Sequence, residues 1–400
     1  MPYDDLRAYL DALDLEQQLL HITEELDTEL GLPRAVRAAA ELGDHAPGLY
    51  LDNLRDHPDA QLTTGLLGSW ANHAVALGLP VRTPLRTQVE EFGRRWEAVP
   101  PAPTVDRADP PWDEYALFGA EVDLGALLPL FGTAEEDQAP DPADRALVLT
   151  ALPAGPEPYG RLCRFEARSR NRLTLRLDPA DPLARHPLTA DLPVVLSLGN
   201  DPLLTVAAAT TGPTAGGSSP DGRSCFELAA ALRQAPCPVT AAPLTGLTVP
   251  WGSELLLEGV IEARVPGPCR SPVVRVDRVA HRASPVFDSL RPPADQPTEH
   301  LTGPATSVRL LRRLRAVHPE VRAVNAVYGD GRLAVLALAP RHPALVEAVT
   351  AHCRALAPEL SVITVDDSVD PFDLPQVLRA LAAGPARLLD ATRRPAAVPA

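Results

Sequence analysis

The chain has 400 residues, 45% of them apolar, and a formal net charge of −15. That length exceeds one small core and implies two or three domains, while the acidic balance excludes a nucleic-acid partner, which needs clustered cations. All 37 basic residues are arginine, which removes Schiff-base catalysis and a Walker-type lysine.

Five cysteines (163, 225, 237, 269 and 353) are scattered without a C-x-x-C pair, which argues against a disulfide framework or a cysteine-rich zinc site. The ten histidines show no metal spacing, so no metal site is assigned. No charged-then-apolar leader is evident, and no apolar run reaches the roughly 18 residues of a spanning helix. The expectation is a soluble, cytoplasmic protein with no membrane partner.

In chain order, an N-terminal α/β domain is expected over residues 1–118. Leu6, Leu10 and Leu13 recur at helical spacing behind a candidate N-cap, Asp4. A short strand follows near Leu19–Thr23. A helix then runs from Pro33, a favoured first-turn residue, to Leu42, with Gly43 as its stop. Val99-Pro100-Pro101-Ala102-Pro103 cannot continue a helix or a central strand and reads as a linker.

The central domain, 119–290, carries strand signals at Val148–Leu152, Leu173–Leu177, Leu192–Leu198, Leu203–Ala208, Glu254–Ile261 and Val273–Val279. Gly and Pro separate them, which suggests a β-barrel or curved sheet. Segments 134–145 and 212–223 read as exposed loops. The last domain, 300–400, alternates helix and strand. Val308, Leu311, Leu314 and Val317 form a helical stripe. Val321–Val327 and Leu333–Leu338 are strands joined through Gly329-Asp330-Gly331. Ala344–Leu356 is a helix and Leu360–Val365 a strand. The fold class is α+β.

Five collinear segments carry a family resemblance. They are Gly68-Ser69 with Ala76-Leu77-Gly78-Leu79; Val122-Asp123-Leu124-Gly125-Ala126-Leu127-Leu128-Pro129; Leu198-Gly199-Asn200-Asp201-Pro202 with Val206-Ala207-Ala208-Ala209; Leu247-Thr248-Val249-Pro250 with Leu257-Glu258-Gly259; and Ile363-Thr364-Val365-Asp366-Asp367-Ser368-Val369-Asp370 with Val377-Leu378-Arg379-Ala380-Leu381. Together they resemble the UbiD-type decarboxylases over nearly the whole chain. The resemblance implies a split β-barrel that binds prenylated FMN and a C-terminal α/β domain used in oligomerisation, homomeric or heteromeric. It implies non-oxidative decarboxylation of an aromatic or α,β-unsaturated acid, so the small-molecule partner is a carboxylic acid.

One motif departs from the family. Where two glutamates of Glu-Gly-Pro-Phe-Gly-Glu do the proton work, the chain reads Pro266-Gly267-Pro268-Cys269-Arg270-Ser271, and the connection between Ile261 and Val273 is shortened. The resemblance places Arg164, about nine residues before Leu173-Thr174, as the arginine that holds the substrate carboxylate. Arg164, Leu173 and Thr174 are the cofactor-binding candidates. The alternative is that Arg161, Arg164, Arg168, Arg170 and Arg172 merely form a solvated surface. The family's metal ligands fall near Tyr159 and at Pro238, which has no ligating side chain, with His186 the nearest histidine beyond a shortened Asp178-Pro179-Ala180-Asp181-Pro182.

Glu254, Glu258 and Glu262 share one strand parity. Glu258 and Glu262 would stand about 13 Å apart at roughly 3.3 Å per residue, too far to act on one atom. Glu262, nearest the lost motif, is the candidate replacement acid; a solvated strand face is the alternative. Two functions remain open: a carboxy-lyase with a rebuilt site, and a catalytically silent structural or regulatory subunit that pairs with a full-length relative.

Overall fold

The computed structural model of the chain describes residues 3–98, 102–129, 143–152, 159–210, 222–263, 271–290, 299–327, 333–339, 342–356, 360–383 and 388–389. The expected turn at Gly329–Gly331 lies outside these residues, as do most of the Val99–Pro103 linker and 266–270 of the divergent motif. Two compact units form: residues 1–83 with 95–296, and 84–94 with 297–400.

The first unit begins with α1 (Leu6–Leu15), β1 (Leu19–Ile22), α2 (Gly31–Ala40), β2 (Gly48–Leu51), β3 (Gln61–Thr64), α3 (Trp70–Ala76) and the last turn of α4 (Leu85–Glu97), whose first ten residues belong to the second unit. It continues with β4 (Thr104–Asp106), β5 (Tyr115–Phe118), α5 (Leu124–Leu127), β6 (Ala143–Thr150), β7 (Tyr159–Ser169), β8 (Arg172–Arg176), α6 (Pro182–Arg185), β9 (Leu192–Leu198), α7 (Pro202–Thr210) and α8 (Cys225–Arg233). It closes with β10 (Cys237–Ala241), β11 (Thr248–Pro250), β12 (Leu255–Ile261), β13 (Val273–His281) and β14 (Val286–Ser289).

Helix α1 buries Leu6, Leu10 and Leu13 as the spacing requires, but its cap is Asp5, whose carboxylate accepts the Ala8 amide at 2.9 Å. Strands β12, β9, β6, β7, β8 and β13 pair in that order, and β12 pairs back to β13, so six strands close into the barrel. Closure removes open sheet edges; β5 extends the sheet beyond β13. Leu175, Phe165, Val148, Leu196, Leu257 and Val276 fill the interior. The N-terminal layer, ordered β1-β2-β3-β14, ends on a strand that follows the barrel in sequence, which ties the layer to the barrel.

The run Leu203–Ala208, expected as a strand, is instead the buried core of α7. Short apolar runs carry no period that separates helix from strand. Here Asp201 accepts the Leu203 amide at 2.8 Å, Pro202 opens the helix, and three alanines follow, all of which favour a helix start. The turn before it needs glycine: Gly199 has φ +66°, and a Cβ there would meet the Glu254 side chain at 2.6 Å.

The second unit comprises part of α4, then α9 (Glu299–Arg315), β15 (Val321–Asn325), β16 (Leu333–Leu338), α10 (Pro343–Leu356), β17 (Ser361–Asp366), α11 (Leu374–Ala383) and β18 (Leu388–Leu389). Its sheet runs β15-β16-β17-β18. Leu336 and Leu338 pack with α9 and α10 on one face, and Val335 and Ala337 pack with Val377 of α11 on the other. No helix of the described residues is long and apolar enough to cross a membrane.

Candidate active site

Strand β7 positions the candidate residues, and the sequence reading had not singled it out as a barrel strand. Its side chains alternate: Tyr159, Cys163 and Phe165 enter the barrel core, whereas Arg164 and Glu166 face the other way. Arg164 is exposed and has no hydrogen-bond or ion-pair partner among the described residues. Its cross-strand neighbours are Arg145 on β6 and Arg176 on β8, so three arginines stand in one row.

Glu166, two residues on, is 4% exposed. It accepts Arg176 Nε at 2.8 Å and Nη2 at 2.9 Å, and Arg168 Nη2 at 3.2 Å. The Arg176 hydrogen bonds hold this carboxyl below the usual range, against the upward push of burial; the charges of Arg168 and Arg164 add to them. Glu166 is therefore ionised at neutral pH and can accept a proton but not donate one. Ser271, the last residue of the divergent motif, accepts Arg176 Nη1 at 3.1 Å. The motif's end thus lies beside the arginine row. Sequence reasoning missed Glu166 and Arg176; their parity with Arg164 across β7 and β8 was the available signal.

Thr174 shares the Glu166 face, with its hydroxyl accepting Arg168 Nε at 3.0 Å. Leu173 points the opposite way, into the barrel core, so its side chain lies away from Arg164. Glu262 accepts Arg172 Nε at 3.0 Å. Arg172 lies four residues along β8 from Arg176, roughly 13 Å at strand spacing.

The other two glutamates are not a solvated face. Glu254 and Glu258 are both fully buried. Glu254 accepts Arg7 Nε at 2.9 Å, Arg282 Nη1 at 3.1 Å and the Val286 amide at 3.0 Å. Glu258 accepts the Leu244 amide at 2.9 Å, the Thr245 amide at 3.1 Å and Arg278. The register shift between Glu258 and Gly259 falls on β13, where Asp277 is the extra residue, while β12 keeps its regular pairing with β9. Such carboxylates lock barrel to neighbouring loops and are spent on structure.

The candidate metal positions are not brought together as one ligand set among the described residues. Tyr159 donates its hydroxyl to Asp181 at 3.2 Å and sits 3.2 Å from Cys163 Sγ. Arg161, 7% exposed, lies 3.6 Å from Asp181. Pro238 belongs to β10 in another sheet; the residue packed against neighbouring Gly160 is Cys225, whose Sγ a Cβ there would meet at 2.6 Å. His186 is the C-cap of α6, half-buried, and closes that turn with its amide on the Leu183 carbonyl. Among the described residues no group of three potential ligands forms. One carboxylate already beside a guanidinium does not make the oxygen cage that a hard divalent cation requires.

Two further carboxyls lie behind the row. Asp144 accepts the Ser289 hydroxyl at 2.5 Å and the Leu290 amide at 2.9 Å, while Arg145 donates to the Leu290 carbonyl at 3.3 Å. Asp288 accepts the Thr63 hydroxyl at 3.1 Å. Burial first of all pushes Asp144 up to about 6 and Asp288 up to about 7. A carboxyl raised in the folded state stabilises the fold below its unfolded pKa, near 4, and that contribution is lost as pH rises through 7. Asp288→Asn keeps the acceptor for Thr63 and removes the charge. It is expected to raise stability at pH 8 by roughly 1–3 kcal/mol and leave it unchanged at pH 4; denaturant melts at the two pH values check this.

Known proteins place this architecture. The family model of the 3-octaprenyl-4-hydroxybenzoate carboxy-lyase N-terminal domain matches residues 10–92, that of the Rift-related domain 103–293, and that of the C-terminal domain 299–384. The chain therefore belongs to the UbiD carboxy-lyase family. It is similar to a phenolic acid decarboxylase of Streptomyces sp. (strain D7), 42% identical over 96% of this chain and 85% of that one, and to one of Escherichia coli O157:H7, 40% identical over 95% and 84%. The first alignment spans 414 positions, more than the 400 residues of this chain, so the Streptomyces protein carries residues that this chain lacks. Among solved structures it is similar to the vanillic acid decarboxylase ShVdcCD of Sedimentibacter hydroxybenzoicus in open form, with TM-score 0.83, 30% identity and coverage of 96% and 85%. The UbiD-class enzyme HmfF of Pelotomaculum thermopropionicum, solved as a dimeric form with prFMN, shares the fold at TM-score 0.79, 22% identity and coverage of 95% and 90%.

Proposed function

We propose that this protein is a carboxy-lyase that binds an aromatic acid through Arg164 and works with prenylated FMN. The single observation that carries the reading is Arg164 itself, an exposed guanidinium without a hydrogen-bond or ion-pair partner among the described residues, on the barrel strand where the resemblance would put the carboxylate arginine. A guanidinium fork matches a carboxylate bidentately. The phenolic acid decarboxylases it is similar to support an aromatic substrate, and the prFMN complex of HmfF supports the choice of flavin. The cofactor supplies the electron-accepting chemistry, and the protein supplies orientation and charge.

By the family resemblance Pro266 and Ser271 would stand at the two glutamate positions, so the proton economy would differ from the family pattern, and Glu166 is held ionised. Arg164 would hold the carboxylate against the barrel, and the proton that replaces carbon dioxide would come from water, since Glu262 is bonded to Arg172 away from Arg164. Arg161 carries buried positive charge beside Asp181. We assign it the charge-balancing role at the cofactor's phosphate, in place of a divalent cation.

A second reading follows from the missing glutamates: a silent subunit of an oligomer with an active partner. The Sedimentibacter protein was solved with truncated ShVdcD as a second component, which supports a heteromeric assembly. Headspace detection of carbon dioxide from a panel of hydroxybenzoic acids separates the two. Release by the chain alone, produced with a flavin prenyltransferase, supports the enzyme; release only after a full-length relative is added supports the subunit.

A further inference from the structure

Two histidines far apart in sequence meet in the second unit. His318 lies in the turn between α9 and β15, and His352 in the C-terminal half of α10. Their elements share one core: Leu314 at the end of α9 and Val349 and Cys353 of α10 belong to the same buried cluster. The backbone at His318 is held from both sides, its amide donating to the Leu314 carbonyl at 2.7 Å and its carbonyl accepting the Val321 amide at 3.1 Å. The two ring centres stand 5.4 Å apart, inclined at 63°. Both residues are half-buried. Neither ring makes a hydrogen bond or ion pair with a described residue. Other histidines differ: His281 Nδ1 is engaged with the Arg282 carbonyl, and His342 Nδ1 accepts the Leu345 amide.

We propose that His318 and His352 hold a divalent cation of the zinc or copper(II) kind between the α9–β15 turn and α10. Imidazole nitrogens suit those ions, whereas magnesium and calcium seek oxygen ligands. A cation about 2.0–2.1 Å from one nitrogen of each ring, at a tetrahedral angle, sets the ring centres about 5 Å apart. The observed spacing matches, and the torsion that turns each ring towards a shared ion is soft. The described residues form no group of three possible ligands, so water completes the coordination. Cys353, next along α10, is fully buried in the core and does not join. A bound cation ties the turn to the helix and stabilises the unit in step with its occupancy. The site depends on neither Arg164 nor a flavin.

The test is calorimetric titration of the chelator-stripped full chain with zinc chloride, with magnesium chloride as the control, beside thermal melts with and without zinc. The expected result is a zinc site that magnesium does not fill and a zinc-dependent rise in melting temperature. His318→Gln and His352→Gln should each weaken that site about tenfold or more and abolish the rise, with little change in the zinc-free melt. His21→Gln, whose ring lies 3.4 Å from Asp14 in the first unit, should keep both. A chain that binds no zinc, fills the site equally with magnesium, or keeps full zinc affinity in both variants would overturn the proposal. Should either variant unfold, electron paramagnetic resonance of the unaltered chain with substoichiometric copper(II) decides: coupling to two imidazole nitrogens supports the pair, and coupling to one or none refutes it.

Discussion

Arg164→Ala is expected to weaken aromatic-acid binding about 100-fold while leaving the melting temperature unchanged or slightly higher. A hydrogen-bonded pair with an ionised group contributes about 1.5–3 kcal/mol, and a bidentate fork lies at the upper end. No hydrogen-bond or ion-pair partner among the described residues is lost, and removing the middle of three like charges eases the row and offsets the lost attraction to Glu166. A solvated surface arginine would give neither the affinity loss nor the contrast between affinity and stability. Titration calorimetry and a thermal melt on the same preparation read both.

Glu254→Ala should have the largest effect on stability, a loss of about 3–5 kcal/mol. Its carboxylate collects Arg7, Arg282 and the Val286 amide, so truncation leaves Arg282, 7% exposed, without its main counter-charge. Asp5 still accepts Arg282 Nη2 at 2.8 Å and limits the damage. Glu254→Gln preserves an acceptor for the Val286 amide and should cost less than half as much. Chemical denaturation of the three proteins measures the series, with substrate binding as a control on folding.

The strands at Leu192–Leu198 and Leu333–Leu338 were readable to the residue, because turn residues bracket each short run, Asp191 and Gly199 around the first and Gly331 and Pro340 around the second. The barrel's closure was legible only through the family resemblance, since no local pattern encodes which strands meet. Leu203–Ala208 misled because its stop and start signals lie outside the apolar run, in Asp201 and Pro202. Strand β7 was masked by its arginines, which look like surface until Arg164 is seen to alternate with Cys163 and Phe165 and Arg161 to share their buried face.

The candidate site was legible in the same uneven way. Arg164 could be named from its distance to Leu173-Thr174. Glu166 could not, because its importance comes from Arg176 on the next strand. Glu254 and Glu258 share a face with each other by parity, yet that face is dry: helix α1, which carries Arg7, and the loop holding Leu244 and Thr245 fold over it. Sequence spacing sees strand direction, and it does not see what covers the strand.

The central proposal is that arginines take over the work of glutamates and metal in a site that binds prenylated FMN and an acid. Native mass spectrometry with absorption spectroscopy on protein co-produced with a flavin prenyltransferase, before and after exhaustive chelation, tests it most directly. The account predicts near-stoichiometric prenylated FMN that survives removal of divalent cations and is lost in Arg161→Ala. A colourless protein, or a cofactor that leaves with the metal, would contradict it.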